Sequence, residues 1–158
     1  MIICLAGTKG GSGRSTTATN FACIAAGQGM KVLMVDADDV PSLIDELPLL
    51  ACVAARAAGT TTIRGAAELR VKESDRIAAT ISNLRAIGVD CEELPDGMRI
   101  TGSTSPLRGA VRTYGDHRLA MAFGVLGALP DSELVLDDRD CVDVSYPGFF
   151  EDLRNVAS

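Results

Sequence analysis

The chain has 158 residues and a formal charge of −6; 47% of its residues are apolar, only 4% are aromatic and tryptophan is absent. That length fits one domain with a core of its own, and a core of Ala, Val, Leu and Ile suits α/β layers better than an all-β sandwich. The acidic balance argues against nucleic-acid binding across the surface, because phosphate affinity comes mainly from Lys and Arg; a local basic site for a small anion stays open. Cys4, Cys23, Cys52, Cys91 and Cys141 are odd in number and form no C-x-x-C pair, which predicts reduced thiols rather than a disulfide framework or a zinc site. No stretch approaches the roughly 18 apolar residues of a membrane span. The first apolar run is too short for a signal-peptide core and has no basic stretch before it, so the expectation is a soluble, cytoplasmic protein without a membrane partner.

In chain order, Ile2–Ala6 reads as a short buried strand ended by glycine. Thr8-Lys9-Gly10-Gly11-Ser12-Gly13-Arg14-Ser15-Thr16 follows, then a helix over Ser15–Gly27 and a second apolar strand over Lys31–Asp36. A glycine-rich loop between strand and helix points several N–H groups at one spot, at the positive end of the helix dipole, where phosphate binds. A plain strand-to-helix turn is the competing reading. Pro48 suits the first turn of a helix that stops at Gly59, with Leu50, Val53, Ala54 and Ala57 as its apolar stripe. That stripe is expected against the strand ending at Asp36, whose Val32–Val35 run is apolar on both faces and reads as an interior strand.

Thr60–Arg64 is β-branched and strand-like. Ser74 reads as the N-cap of a helix carrying Ile77, Ile81, Leu84 and Ile87 and ending at Gly88. Val89–Leu94 and Met98–Thr101 flank Pro95-Asp96-Gly97, a hairpin signal. Ser103–Arg112 reads as a loop, Asp116–Leu126 as a helix and Leu134–Leu136 as a strand, and Pro147 opens a last helix running to about Val156.

Residues 1–39 resemble the deviant P-loop of the ParA/MinD ATPases. The carrying residues are Lys9, Gly10, Gly11, Gly13, Ser15 and Thr16, with Asp36 and Asp38 as the D-x-D; Arg14 stands where that family has a second lysine. The resemblance implies a site for phosphate or Mg-ATP, with Ser15 as a magnesium ligand. No cofactor follows from the residues alone.

From Val40 onward the chain resembles the C-terminal part of EPSP synthase. The carrying stretches are Pro41-Ser-Leu-Ile-Asp45-Glu46-Leu-Pro48, Leu69-Arg-Val-Lys72-Glu73-Ser-Asp75-Arg76, Gly115-Asp-His117-Arg118-Leu-Ala-Met121 and Ser145-Tyr-Pro-Gly-Phe-Phe150. The resemblance implies enolpyruvyl transfer from phosphoenolpyruvate to shikimate 3-phosphate. It assigns Arg76 and Arg118 to the phosphoenolpyruvate anion, a suitable task for planar guanidinium forks. Asp45 would orient or deprotonate the attacking hydroxyl, Glu73 and Lys72 would handle protons, and His117 would orient Arg118. Read without the motifs, Lys72, Glu73, Asp75 and Arg76 are solvated charges at a helix start.

The combined expectation is a chimera folded as a single α/β domain. A P-loop-type βαβ segment (1–39) joins an EPSP-synthase-like segment (40–158) built from βαβαββ units. Its function would be that of a transferase fragment inactive alone, since EPSP synthase draws its site from two closing domains. The alternatives are a ParA/MinD-type nucleotide-binding module and a folding scaffold without a ligand. Apolar surface left by missing parts would favour self-association.

Overall fold

Parallel strands need a crossover to connect them, and the first two strands among the described residues are parallel. Strand β1 (Ile2–Leu5) pairs with β2 (Met34–Asp36) on one side and with β3 (Thr60–Arg64) on the other, both in parallel. The structure is a computed structural model and describes residues 2–5, 34–36 and 44–157. The five-stranded sheet has the order β2-β1-β3-β5-β4, completed by the antiparallel hairpin β4 (Asp90–Leu94) and β5 (Gly97–Thr101). Lys9, Gly10, Gly11, Gly13, Arg14, Ser15, Thr16 and Asp38, with the helix expected over Ser15–Gly27, lie outside the described residues; Asp36 closes β2.

Among the described residues β2 stands at one end of the strand order, beside β1; residues 31–33 of the strand expected in the interior lie outside them. Helix α1 (Leu47–Arg56) starts with Pro48 in its first turn and ends near Arg56, whose Nη1 donates to the carbonyls of Ser103 and Ser105 at 3.2 and 2.8 Å. Its buried face is Leu47, Pro48, Ala51, Cys52, Ala54 and Ala55, while Val53 is 48% exposed. The expected stripe holds in part: Ala54 is buried and Leu50 packs half-buried against the core, but Val53 faces out, and Leu47, Ala51, Cys52 and Ala55 make up the rest of the buried face.

Asp75 caps helix α2 (Arg76–Ala86), its Oδ1 accepting from Ala78 N at 3.0 Å. The cap is therefore Asp75 and not Ser74. Ile77, Ile81, Leu84 and Ile87 are all buried, as the spacing predicted. The hairpin turns at Pro95-Asp96, and Asp96 ties it to the end of β3. Its carbonyl accepts from Ala66 N at 2.7 Å and its Oδ2 from Gly65 N at 3.0 Å. Gly97 is buried against β3, and a Cβ there would lie 2.0 Å from the Ile63 carbonyl oxygen. From β2 the order strand, α1, β3, α2, β4, β5 is βαβαββ.

A second, two-stranded parallel sheet follows: β6 (Leu107–Val111), helix α3 (His117–Gly127) and β7 (Ser132–Leu136). The expected loop over Ser103–Arg112 thus contains a strand. Its sequence, Leu-Arg-Gly-Ala-Val, has little β-branched character, and parallel pairing with β7 rather than local propensity makes it. Buried Asn83 of α2 fixes the start of the next loop, donating to Arg112 O at 2.8 Å and accepting from Arg112 N at 2.9 Å. Helix α4 (Phe149–Ala157) ends the fold. The core joins Leu47, Ile63, Leu69, Ile81, Met98, Leu107 and Phe123, each essentially without exposure. No helix among the described residues is long and apolar enough to cross a membrane.

Candidate active site

Three helices bring their N-terminal ends together. Ile44–Glu46 forms a single 3-10 turn that leads into α1, while Asp75 and Asp116 cap α2 and α3. Each N-terminus presents unpaired N–H groups and the positive end of a helix dipole, which favours negative charge.

Arg76, the first residue of α2, sits at the centre and is 1% exposed. Its Nε donates to Asp116 Oδ2 at 2.7 Å, and its Nη2 donates to Asp116 Oδ1 at 3.1 Å and to Glu73 Oε2 at 2.6 Å. Nη1 donates to Asp45 Oδ1 at 2.7 Å. A guanidinium has five N–H groups, so these bonds use most of its capacity. Burial pulls the Arg76 pKa down, but the Asp116 bonds and the charges of Asp116, Glu73 and Asp45 outweigh it and leave it above its ordinary value.

Asp116 is completely buried. Besides Arg76, it receives Ser74 Oγ at 2.9 Å and the Arg118 N–H at 2.9 Å. Burial alone would raise its pKa, but the Arg76 and Ser74 bonds, the guanidinium charge and the backbone bond hold it below the usual carboxylate value. Lys72 reaches Glu68 Oε1 at 3.1 Å and Asp45 Oδ1 at 3.4 Å. The Glu68 bond raises its pKa, partly opposed by burial and helped by Asp45.

Arg118 lies one residue into α3, and its Nη1 donates to Glu46 Oε1. His117 is half-buried beside it. Arg118, Asp45 and Glu46 open onto a pocket of about 340 Å³ walled by Leu49, Met121, Val125 and Phe149. Arg70 bridges the two flanks of Lys72–Ser74 to the hairpin: it donates to the carbonyls of Leu94 and Pro95 at 2.8 and 2.9 Å and pairs with Asp75 and Glu93 at 2.8 and 2.9 Å.

The structure therefore joins Asp45, Lys72, Glu73 and Arg76 directly, and sets Arg118 and His117 on the same helix end through Asp116. Four partners escaped the sequence reading. Glu46 stands in the Pro41–Pro48 stretch without a role of its own, and Ser74 reads as a cap. Arg70 and Asp116 lay inside quoted motifs, and the signal for Asp116 was its place directly before a helix, where Asp is a preferred N-cap.

A family model described as EPSP synthase (3-phosphoshikimate 1-carboxyvinyltransferase) matches residues 8–153. The chain belongs to the EPSP synthase family. The 3-phosphoshikimate 1-carboxyvinyltransferase of Persephonella marina is 49% identical over 129 residues, covering 82% of this chain and 30% of the relative. That of Akkermansia muciniphila is 51% identical over 117 residues, 73% of this chain and 27% of the relative. Among solved structures, EPSP synthase from Acinetobacter baumannii superposes with a TM-score of 0.67 at 40% identity, over 75% of this chain and 28% of that one. The chain thus spans about 30% of the length of the curated relatives it matches. The four EPSP-synthase-like stretches from Pro41 to Phe150 all fall inside the matched residues.

Proposed function

We propose that this chain carries part of the active site of a 3-phosphoshikimate 1-carboxyvinyltransferase and is inactive alone. In that reaction the enolpyruvyl group passes from phosphoenolpyruvate to a hydroxyl of shikimate 3-phosphate and phosphate leaves. The observation that carries the reading is the bonding of Arg76 to Asp45, Glu73 and Asp116, residues up to 71 positions apart that meet in one place. Arg118 at the pocket mouth supplies a cation for the phosphoenolpyruvate anion, with Arg76 behind it. Asp45, held through Oδ1 by Arg76 and Lys72, orients or accepts the proton of the attacking hydroxyl. Lys72 and Glu73 exchange protons with the methylene carbon, and His117 flanks Arg118. Reactions of two anionic substrates depend on holding both in register, which commonly supplies several kcal/mol of the barrier. A chain matching about 30% of the relatives' length offers only part of that positioning.

Phosphate release from phosphoenolpyruvate plus shikimate 3-phosphate, followed by a coupled assay, is expected to stay at background with this chain. Phosphoenolpyruvate is still expected to shift the NMR signals of α3, and Arg118→Ala is expected to abolish those shifts. Sustained turnover by the chain alone would overturn the inactivity, and binding indifferent to Arg118 would overturn the site.

A second reading concerns residues 1–39. The parallel pairing of β1 with β2 supports a βαβ unit whose glycine loop, Lys9 to Thr16, takes phosphate or Mg-ATP, with Ser15, Asp36 and Asp38 toward the metal. On this reading the segment is ParA/MinD-like and the chain a chimera folded as one compact domain; against it, the EPSP synthase match begins at residue 8 and runs through the glycine loop. Millimolar phosphate is expected to move the amides of residues 10–16; unmoved amides would leave a plain turn. Exposed Val71, Val135 and Val144 support self-association, and the free thiols of Cys52, Cys91 and Cys141 support a cytoplasmic setting.

A further inference from the structure

Not every cation of the site is held alike. Arg76 is buried and bound by carboxylates from three segments, whereas Arg118 is half-exposed beside the pocket and, among the described residues, its guanidinium is held by one carboxylate, Glu46. The side chains of Arg118 and Glu46 are 33% and 44% exposed. Resting on the function proposed above, we infer that Glu46 is a built-in competitor: its carboxylate occupies the anion-binding face of Arg118, and an incoming anion must displace it.

Three features of the site support this. Glu46 sits in the turn directly before α1, next to Asp45, so its backbone is fixed by the same turn that brings Asp45 to Arg76. The backbone of Arg118 is fixed by the bond from its N–H to Asp116, so the base of the side chain stays at the pocket when Glu46 leaves. Apart from Asp45 and the pair itself, the described residues lining the pocket are apolar side chains with Ser145 and Tyr146; they offer a displaced carboxylate hydroxyls or water but no second cation. Solvent-exposed ion pairs hold weakly, so the competitor lowers anion affinity without closing the site. In the free protein it also keeps Arg118 from capturing unrelated anions.

The test compares phosphoenolpyruvate titrations of the full 158-residue chain, read by calorimetry and by the Arg118 side-chain N–H signal. Glu46→Gln keeps the shape and removes the charge, and is expected to tighten binding by about 3–10-fold. Glu46→Ala is expected to do the same, and both gains are expected to vanish in an Arg118→Ala background. Asp143→Asn, an equal change of net charge on an exposed carboxylate of another segment, is expected to leave affinity unchanged. Equal affinity in the wild type and Glu46→Gln would overturn the competitor while leaving the anion site intact. An equal gain from Asp143→Asn would reduce the effect to net charge and overturn it too. Absence of binding at Arg118 in every variant would overturn the anion site and the competitor with it.

Discussion

Asp116 does two jobs with one carboxylate: it caps α3 through the Arg118 N–H and grips Arg76 of α2 with both oxygens. The start of one helix is thereby fastened to the start of another through a buried charge pair. Removing one partner of such a pair leaves an uncompensated charge inside the protein. Asp116→Ala is expected to cost about 3–5 kcal/mol in urea unfolding. Asp116→Asn keeps the cap, which is worth about 1 kcal/mol, and is expected to cost correspondingly less. Equal costs for the two variants would show that the cap contributes nothing.

The same carboxylate sets an acid dependence. Its pKa is lowered in the folded state, so the unfolded chain takes up the proton first as pH falls. The stabilisation is fully present above the ordinary Asp value of about 3.9 and is lost as pH falls from there through the lower folded value. Urea midpoints from pH 7 down to pH 2.5 are expected to fall more gently below pH 4 in Asp116→Asn than in the wild type. Parallel curves would assign the acid transition to other carboxylates.

The buried face of α1 gives a paired test. Leu47 has no exposure and its truncation to Ala is expected to cost roughly 2–5 kcal/mol. Val53 is 48% exposed, and Val53→Ala is expected to stay within about 0.5 kcal/mol. The reverse order would restore the stripe that the spacing alone suggested.

Gly97 is where the hairpin meets β3. A methyl group at that position would collide with the Ile63 carbonyl, a backbone atom that cannot rotate away. Gly97→Ala is expected to destabilise by about 1–3 kcal/mol or more. Gly88, which has open space around its Cα but a φ of +90°, is expected to cost about 1–2 kcal/mol on change to Ala through backbone strain alone. Comparable hydrogen exchange of β3 in Gly97→Ala and the wild type would argue that the strands separate without cost.

Elements with a strong local signature were readable from the residues. The Ile77–Ile87 spacing, the Pro95-Asp96-Gly97 turn and the β-branched Thr60–Arg64 run each carry their structure in their own side chains. Strand β6 does not; it exists because β7 and α3 close over it, and nothing in Leu-Arg-Gly-Ala-Val announces that. The helix α1 stripe was ambiguous because its sequence is apolar nearly all round, so spacing could not choose a face. The site followed the same division. Motifs supplied Asp45, Lys72, Glu73, Arg76, His117 and Arg118, but their mutual wiring through Asp116 and the hold of Glu46 on Arg118 are tertiary and have no local signature.

Cys52 sits on the inner face of α1 with 2% exposure, and burial drives its thiol pKa far up. Only the thiolate attacks an alkylating reagent, so this sulfur is silent while the helix stays seated and becomes reactive once it lifts. Cys91 and Cys141 are partly buried, burial pushes their thiols up as well, and they lie outside α1, so they report on other parts of the fold. Mass spectrometry of the peptide bearing Cys52, sampled over time under a thiol reagent, therefore turns a single native atom into a clock for how often α1 leaves the core, with no label added to the protein.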